Sequence, residues 1–231
     1  MQIILLPGLG DDYRCFRKQT EYFPEALVPP WIPVKPGESL ESYAQRMGDS
    51  LEVGSDCVVV GLSFGGAVAP YLARQIHARG CVIISMTETP EEFPKRYYPF
   101  YLWIRCFPRL FYVFFMLLRW TLWLFLPIFR LFIRRFYCSL ISVAIQQDAY
   151  SLYHFIRMLL WWAYRREEIS SFQNRIHIHG EKDKIVPYVC CKHVDFPVPA
   201  AGHVLNITHS EAVNAIIEQF ISALPEEKEL E

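Results

Sequence analysis

One stretch restricts the fold more than any other. Asp56-Cys-Val-Val-Val60 is a β-branched run that passes without a break into Gly61-Leu-Ser-Phe-Gly65, a G-x-S-x-G sequence, and a helical pattern follows. An apolar run with no polar face reads as a strand buried on both sides. A strand that turns at once into a helix needs small residues around the turn, because side chains there would strike neighbouring backbone. The serine then stands at the strand's C-terminal end. The N–H groups of the following helix face any negative charge that develops beside it. The competing reading is a glycine-rich turn with an idle serine.

The rest of the chain supplies the setting. Short apolar or alternating runs at 2–6, 81–85, 175–179 and 193–198 read as further strands. Helical spacing links Leu40, Ala44, Met47 and Leu51, and again Val213, Ile216, Ile217, Phe220 and Ile221, with Thr208 as a candidate N-cap for the last helix. Residues 67–76 form another helical stretch, with Pro70 as a tension inside it. Strands alternating with helices predict an α/β fold with a mostly parallel sheet flanked by helices. From about residue 90 to 166 no strand pattern appears, and the segment is too long for a loop in a compact fold. It is expected to be a helical, hydrophobic insertion. The core would then comprise residues 1–89 and 167–231.

Composition narrows the function classes. Hydrophobic residues make up 52% of the 231 and charged residues 20%, so a sizeable core is available and disorder is excluded. The net charge is −1, which gives no basic field for nucleic acid. That average hides a split. Residues 93–147 carry eight basic and no acidic residues, leaving 15 basic against 24 acidic elsewhere. Seven cysteines at scattered positions suggest a reducing compartment, and no pair of them has zinc-site spacing. The adjacent Cys190 and Cys191 read as packed thiols. Met1 leads straight into the first strand pattern with no secretory leader, so a cytoplasmic location is expected.

Two downstream loops offer partners for Ser63. His179-Gly-Glu-Lys-Asp-Lys-Ile-Val-Pro187 follows a strand and places Asp183 where a carboxylate could orient an imidazole, with Glu181 as the competing acid. Ala201-Gly-His203 follows the last strand and precedes the last helix, and a histidine after a glycine in such a loop can reach the sheet's C-terminal edge. The other six histidines read as packed or solvated; His177 and His179 share one strand face.

With the order Ser63, Asp183, His203, and with Leu5-Leu-Pro-Gly-Leu-Gly10 after the first strand, the chain resembles the α/β-hydrolase superfamily, in its small esterase/lipase-like branch. The resemblance covers residues 1–90 and 170–225. It implies Ser63 as nucleophile, His203 as general base and Asp183 as the acid that holds the imidazole. It also implies an oxyanion hole from the backbone N–H groups of Leu9 and Phe64. Two departures stand out. Pro7-Gly8 replaces the family's usual His-Gly, and the first two strands of the family are missing, which would leave about six. The implied activity is hydrolysis of carboxylic esters of hydrophobic acyl chains, with no metal or organic cofactor. A thioesterase, an acyltransferase on the same residues, or a non-catalytic acyl-binding protein are the alternatives.

The insertion bears on where such a substrate would lie. Residues 107–137 contain 12 aromatics and seven leucines, and 110–128 hold one charge, Arg119. That length meets the bare threshold for a membrane span. A single crossing would separate Ser63 from Asp183 and His203, so the segment is expected to stay on one side. On one continuous helix, Arg105, Arg109, Arg119, Arg130 and Arg134 would form a narrow basic stripe. Residues 105–137 are therefore expected either to dock on an anionic membrane surface, at a membrane's inner face, or to form a soluble lid. Either way the implied partner is a small-molecule or lipid-like ester.

Overall fold

The structure is a computed structural model and describes residues 1–132, 148–165 and 172–225. Five parallel strands form one sheet in sequence order: β1 (Gln2–Leu6), β2 (Cys57–Leu62), β3 (Gly80–Ile84), β4 (Arg175–Gly180) and β5 (Phe196–Val198). Every residue of β2 and β3 is buried, as their uninterrupted apolar runs require. Alternate side chains build two cores. Ile4, Leu6, Cys57, Val59, Cys81 and Ile83 face α2 (Leu40–Asp49), α3 (Phe64–Gln75) and the insertion. Ile3, Leu5, Val58, Val60, Val82, Ile84 and Ile178 face the opposite layer. That layer holds α1 (Arg17–Tyr22) and two helices near the C-terminus.

About six strands are expected, and the described residues hold five. Outside β1, where a further strand would lie, the chain makes a single parallel bridge between Ile4 and Leu27. Leu27 exchanges two backbone hydrogen bonds of 2.8 Å with β1. Pro24, Pro29 and Pro30 flank it and cannot donate to a ladder, so the pairing goes no further. β5 is also shorter than the 193–198 run. The Asp195 carboxylate accepts the His177 N–H at 2.8 Å, which takes the place of a ladder bond.

Helix starts differ as well. The final helix, Ser210–Ala223, has His209 rather than Thr208 at its N-cap position. A short separate helix, Leu205–Thr208, precedes it, and the Thr208 hydroxyl bonds back to the Val204 carbonyl. Pro70 lies inside α3, which continues to Gln75.

Between β3 and β4 the described residues form helices and turns. They include α4 (Tyr98–Cys106), α5 (Pro108–Phe132) and α6 (Ala149–Arg165). α6 anchors the group to the core. The Trp162 indole donates to the Tyr71 hydroxyl at 3.0 Å, and Phe155 packs edge-on or tilted against Tyr43 and Phe64. α5 departs from the sequence reading. The chain leaves the helical region at Phe107 (φ −128°, ψ 56°) before α5 starts at Pro108, because proline disfavours helix in the residue before it. Arg105 and Arg109 thus belong to different helices, and the continuous stripe is not formed. Arg130 and Arg134 lie outside the described side chains.

Candidate active site

Ser63 occupies the turn between β2 and α3 with φ 52° and ψ −116°, a left-handed conformation that costs an L-residue about 1–3 kcal/mol. The glycines of the motif make the turn possible. A Cβ at Gly61 would come within 2.2 Å of the Gly65 carbonyl oxygen, and one at Gly65 within 2.2 Å of the Leu6 carbonyl oxygen. α3 therefore starts directly against β1 and β2, and Ser63 is held out at the sheet's C-terminal edge.

The two downstream loops meet it there. His203 Nε2 lies 2.8 Å from Ser63 Oγ, and His203 Nδ1 lies 2.7 Å from Asp183 Oδ2. The Asp183 side chain is fully buried and that of His203 is 13% exposed. Asp183 Oδ1 accepts the Ile185 and Val186 N–H groups at 2.8 and 3.0 Å. Burial alone would raise the Asp183 pKa. The neighbouring His179 imidazole and the hydrogen bond from His203 outweigh it and hold the carboxyl well below the usual carboxylate range. Glu181 is exposed, so of the two competing acids only Asp183 reaches the imidazole. The His203 loop is backed by a buried amide network. Gln19 donates to the Asn206 carbonyl and the Asn214 side chain, and Asn206 donates to the Cys15 carbonyl at 2.8 Å.

Leu9 and Ser63 line one cavity of about 440 Å³, with the Phe64 N–H at the start of α3 beside it. Among the described residues neither the Leu9 nor the Phe64 N–H has an acceptor. Apart from Ser63, His203 and Asp11, the cavity walls are largely apolar, with Phe93, Tyr97, Phe100, Ile156 and Leu159 contributed by the insertion. Its volume lies in the range of small-molecule sites.

Two features go beyond what sequence reasoning gave them. Asp11 also lines the cavity. Its Oδ2 and the Ser63 Cβ lie 2.9 and 3.7 Å from where a Gly8 Cβ would stand. Burial, then the neighbouring Asp12, pushes the Asp11 carboxyl up to about 6. Only its place in the first loop, beside Leu9, could have pointed to it. The second feature is a histidine pair on β4. His179 Nε2 donates to the Val186 carbonyl at 2.8 Å and lies 3.4 Å from Asp183 Oδ2. His177 is completely buried beside it, and burial and His179 push its pKa down to about 4.

Residues 3–216 match a family model described as the alpha/beta hydrolase family. A search of curated proteins gave no match. Among solved structures, a thermophilic esterase from Thermogutta terrifontis aligns over 97% of this chain and 90% of its own, with 18% identity and a TM-score of 0.59. A meta-cleavage product hydrolase from Pseudomonas fluorescens aligns over 96% and 90%, with 16% identity and a TM-score of 0.65. The type II thioesterase BorB from the borrelidin biosynthetic cluster aligns over 95% and 92%, with 16% identity and a TM-score of 0.62. At such identities these likenesses speak to the fold.

Proposed function

The chain belongs to the alpha/beta hydrolase family, and on that premise we propose that it is a serine hydrolase cleaving carboxylic esters of hydrophobic acyl chains. The observation that carries this reading is the unbroken relay from Ser63 Oγ through His203 to Asp183, at 2.8 and 2.7 Å. In this mechanism Ser63 Oγ attacks the acyl carbon while its proton passes to His203 Nε2. Asp183, acceptor-only, keeps the other imidazole proton on Nδ1 and stabilises the imidazolium. The Leu9 and Phe64 N–H groups receive the charge that develops on the carbonyl oxygen, worth about 3–4 kcal/mol per donor in comparable sites. His203 then returns its proton to the leaving alcohol. A water deprotonated by the same nitrogen attacks the acyl-enzyme, and as the acid leaves, His203 returns that proton to Ser63 Oγ. The apolar cavity walls fit an acyl chain better than a polar group.

In this reading residues 90–166 act as a cap, since six residues of the insertion line the cavity above Ser63. The outer surface of α5 supports docking on a lipid surface. The 108–125 stretch is long and apolar enough to cross a membrane, yet only 6% of it is buried. Trp120 and Trp123 are 66% and 65% exposed. Phe111 and Phe115 bind one side of α5 to the cap, so the helix lies against the protein with its aromatic side outward.

A fluorophosphonate probe tests the nucleophile. It should label wild type and not Ser63→Ala, and turnover of p-nitrophenyl esters should fall by about 10³–10⁶-fold in the variant. Equal labelling of both proteins would remove Ser63 from the mechanism. An ester series of increasing chain length, with thioesters alongside, identifies the preferred acyl group. Cosedimentation with anionic liposomes tests the lipid surface. Trp120→Ser with Trp123→Ser should reduce it, whereas a wild-type protein that stays in the supernatant would refute docking.

A further inference from the structure

β4 carries a second cluster that the hydrolytic relay does not use. His177 and His179 are two residues apart on the strand, so both rings project from the same face, and both are fully buried. Their hydrogen bonds fix where the protons are. A carbonyl can only accept. His177 Nδ1 lies 2.9 Å from the His193 carbonyl and His179 Nε2 lies 2.8 Å from the Val186 carbonyl, so those two nitrogens carry the N–H of each neutral ring. The remaining nitrogens, His177 Nε2 and His179 Nδ1, then both present lone pairs, and they face each other at 3.1 Å. Two facing lone pairs repel, and a proton or a metal cation held between or beside them would relieve that repulsion.

A third ligand is already in place. Cys191 Sγ lies 3.7 Å from His179 Nδ1, and the three ligand atoms all fall within 4.8 Å of one another. Zinc bonds of about 2.0–2.1 Å to imidazole and about 2.3 Å to thiolate set ligand separations of roughly 3.3 Å between nitrogens and roughly 3.6 Å from nitrogen to sulfur in a tetrahedron. The observed 3.1 and 3.7 Å lie close to those values. The outer hydrogen bonds match what metal-bound histidines require, since a carbonyl on the far nitrogen fixes tautomer and ring orientation.

We propose that His177 Nε2, His179 Nδ1 and Cys191 Sγ form a binding site for a zinc-type divalent cation. Two imidazoles and one thiolate suit a borderline-soft ion and disfavour magnesium or calcium. As the metal–sulfur bond forms, the Cys191 S–H bond breaks and its proton leaves to solvent. Cys191 is only half-buried, so the ion has a way in. Three protein ligands leave a fourth position for water or a small ligand. Because His179 Nε2 also lies 3.4 Å from Asp183 Oδ2, the site joins the carboxylate of the hydrolytic relay through one imidazole ring.

The test uses the full chain without a polyhistidine tag, stripped with a chelator and titrated with Co²⁺ followed by absorption, and with Zn²⁺ followed by calorimetry. One ion should bind per chain, and Co²⁺ should develop a thiolate charge-transfer band. Cys191→Ser should abolish that band and weaken Zn²⁺ binding at least tenfold. His177→Gln should weaken it similarly, while Cys190→Ser should leave both signals intact. Circular dichroism confirms that each variant is folded, and Cys191→Ser carries the test if His177→Gln is not. Absence of saturable Zn²⁺ binding by wild type, or binding by folded Cys191→Ser within twofold of wild type, would overturn the proposal.

Discussion

Replacing Asp11 by Asn should stabilise the protein, and only above a defined pH. The Asp11 carboxyl is pushed up to about 6, first by burial and then by Asp12, with His203 and Arg14 offsetting part of the effect. An unfolded aspartate titrates near ~3.9, so the shift is roughly two units, or about 3 kcal/mol at ~1.36 kcal/mol per unit. The side chain keeps some contact with solvent in the cavity, which lowers the working figure to about 2 kcal/mol. The sign follows from which state releases its proton first. Between about pH 4 and 6 the unfolded chain has ionised and the folded chain has not, so stability falls as pH rises through that window and stays reduced above it. The amide introduced by Asp11→Asn carries no charge at any pH. The Asp11→Asn chain should therefore match wild type near pH 4 and exceed it at pH 7.5. For a chain of this size the gain is about 4–8 °C in melting temperature. Thermal denaturation of both proteins at pH 4, 5, 6 and 7.5 reads the effect directly. An equal shift at all four pH values, or a loss at pH 7.5, would refute the burial argument.

Three further outcomes are expected. Asp183→Asn should lower kcat about 10⁴-fold, because an amide in that position no longer selects the imidazole tautomer, while Glu181→Gln should stay near wild type; steady-state ester kinetics compares them. Gly65→Ala should destabilise the chain severely, by more than about 4 kcal/mol, since its Cβ would sit 2.2 Å from the Leu6 carbonyl oxygen, and urea denaturation or loss of soluble expression would show it. Asn206→Ala should cost about 1–3 kcal/mol by leaving the Cys15 carbonyl without its donor in a buried network, and chemical denaturation measures it.

What sequence made visible depended on whether the determining contacts are local. β2 and its turn into α3 are local, and the glycines at 61 and 65 are explained by backbone within a few ångströms. The convergence of Ser63, Asp183 and His203 at one edge was legible because each directly follows a strand pattern, and parallel strands deliver their C-terminal ends to one edge. The failures are tertiary. The expected sixth strand came from the family's strand count, and no sixth run of residues stood behind it. The single bridge at Leu27 depends on β1 lying alongside a proline-flanked segment. The arginine stripe assumed an unbroken helix, and Pro108 broke it at Phe107. Cysteine spacing concealed the histidine–cysteine cluster, since its third member comes from a loop that only the fold brings back to β4. Residues 133–147 and 166–171, which complete the insertion, lie outside the described residues.

Asp11 and Asp183 show how one residue type acquires opposite properties within one site. Both are removed from bulk water, and burial alone would raise either carboxyl. Asp183 accepts from two backbone N–H groups and His203, with His179 Nε2 3.4 Å away; these favour the charged form, and its pKa goes down. Asp11 has no hydrogen-bonding partner for its carboxylate among the described residues, so burial prevails and its pKa goes up. The depressed group contributes stability above the unfolded carboxylate range, and that contribution disappears as acid protonates it. The raised group does the reverse, and is most favourable to the fold when protonated. Below about pH 6 the relay through Asp183 stays charged while the carboxyl beside Gly8 is neutral. Above it, Asp11 is anionic on the cavity wall as well, while Asp183 stays buried behind His203. On the proposed mechanism a neutral ester would place its developing oxyanion between Leu9 and Phe64, on the cavity that Asp11 also lines, and the ionised Asp11 would oppose that charge. On that proposal, Asp11 would tie the pH at which the fold is strained to the pH at which the site opposes an oxyanion, and Asp11→Asn should relieve both.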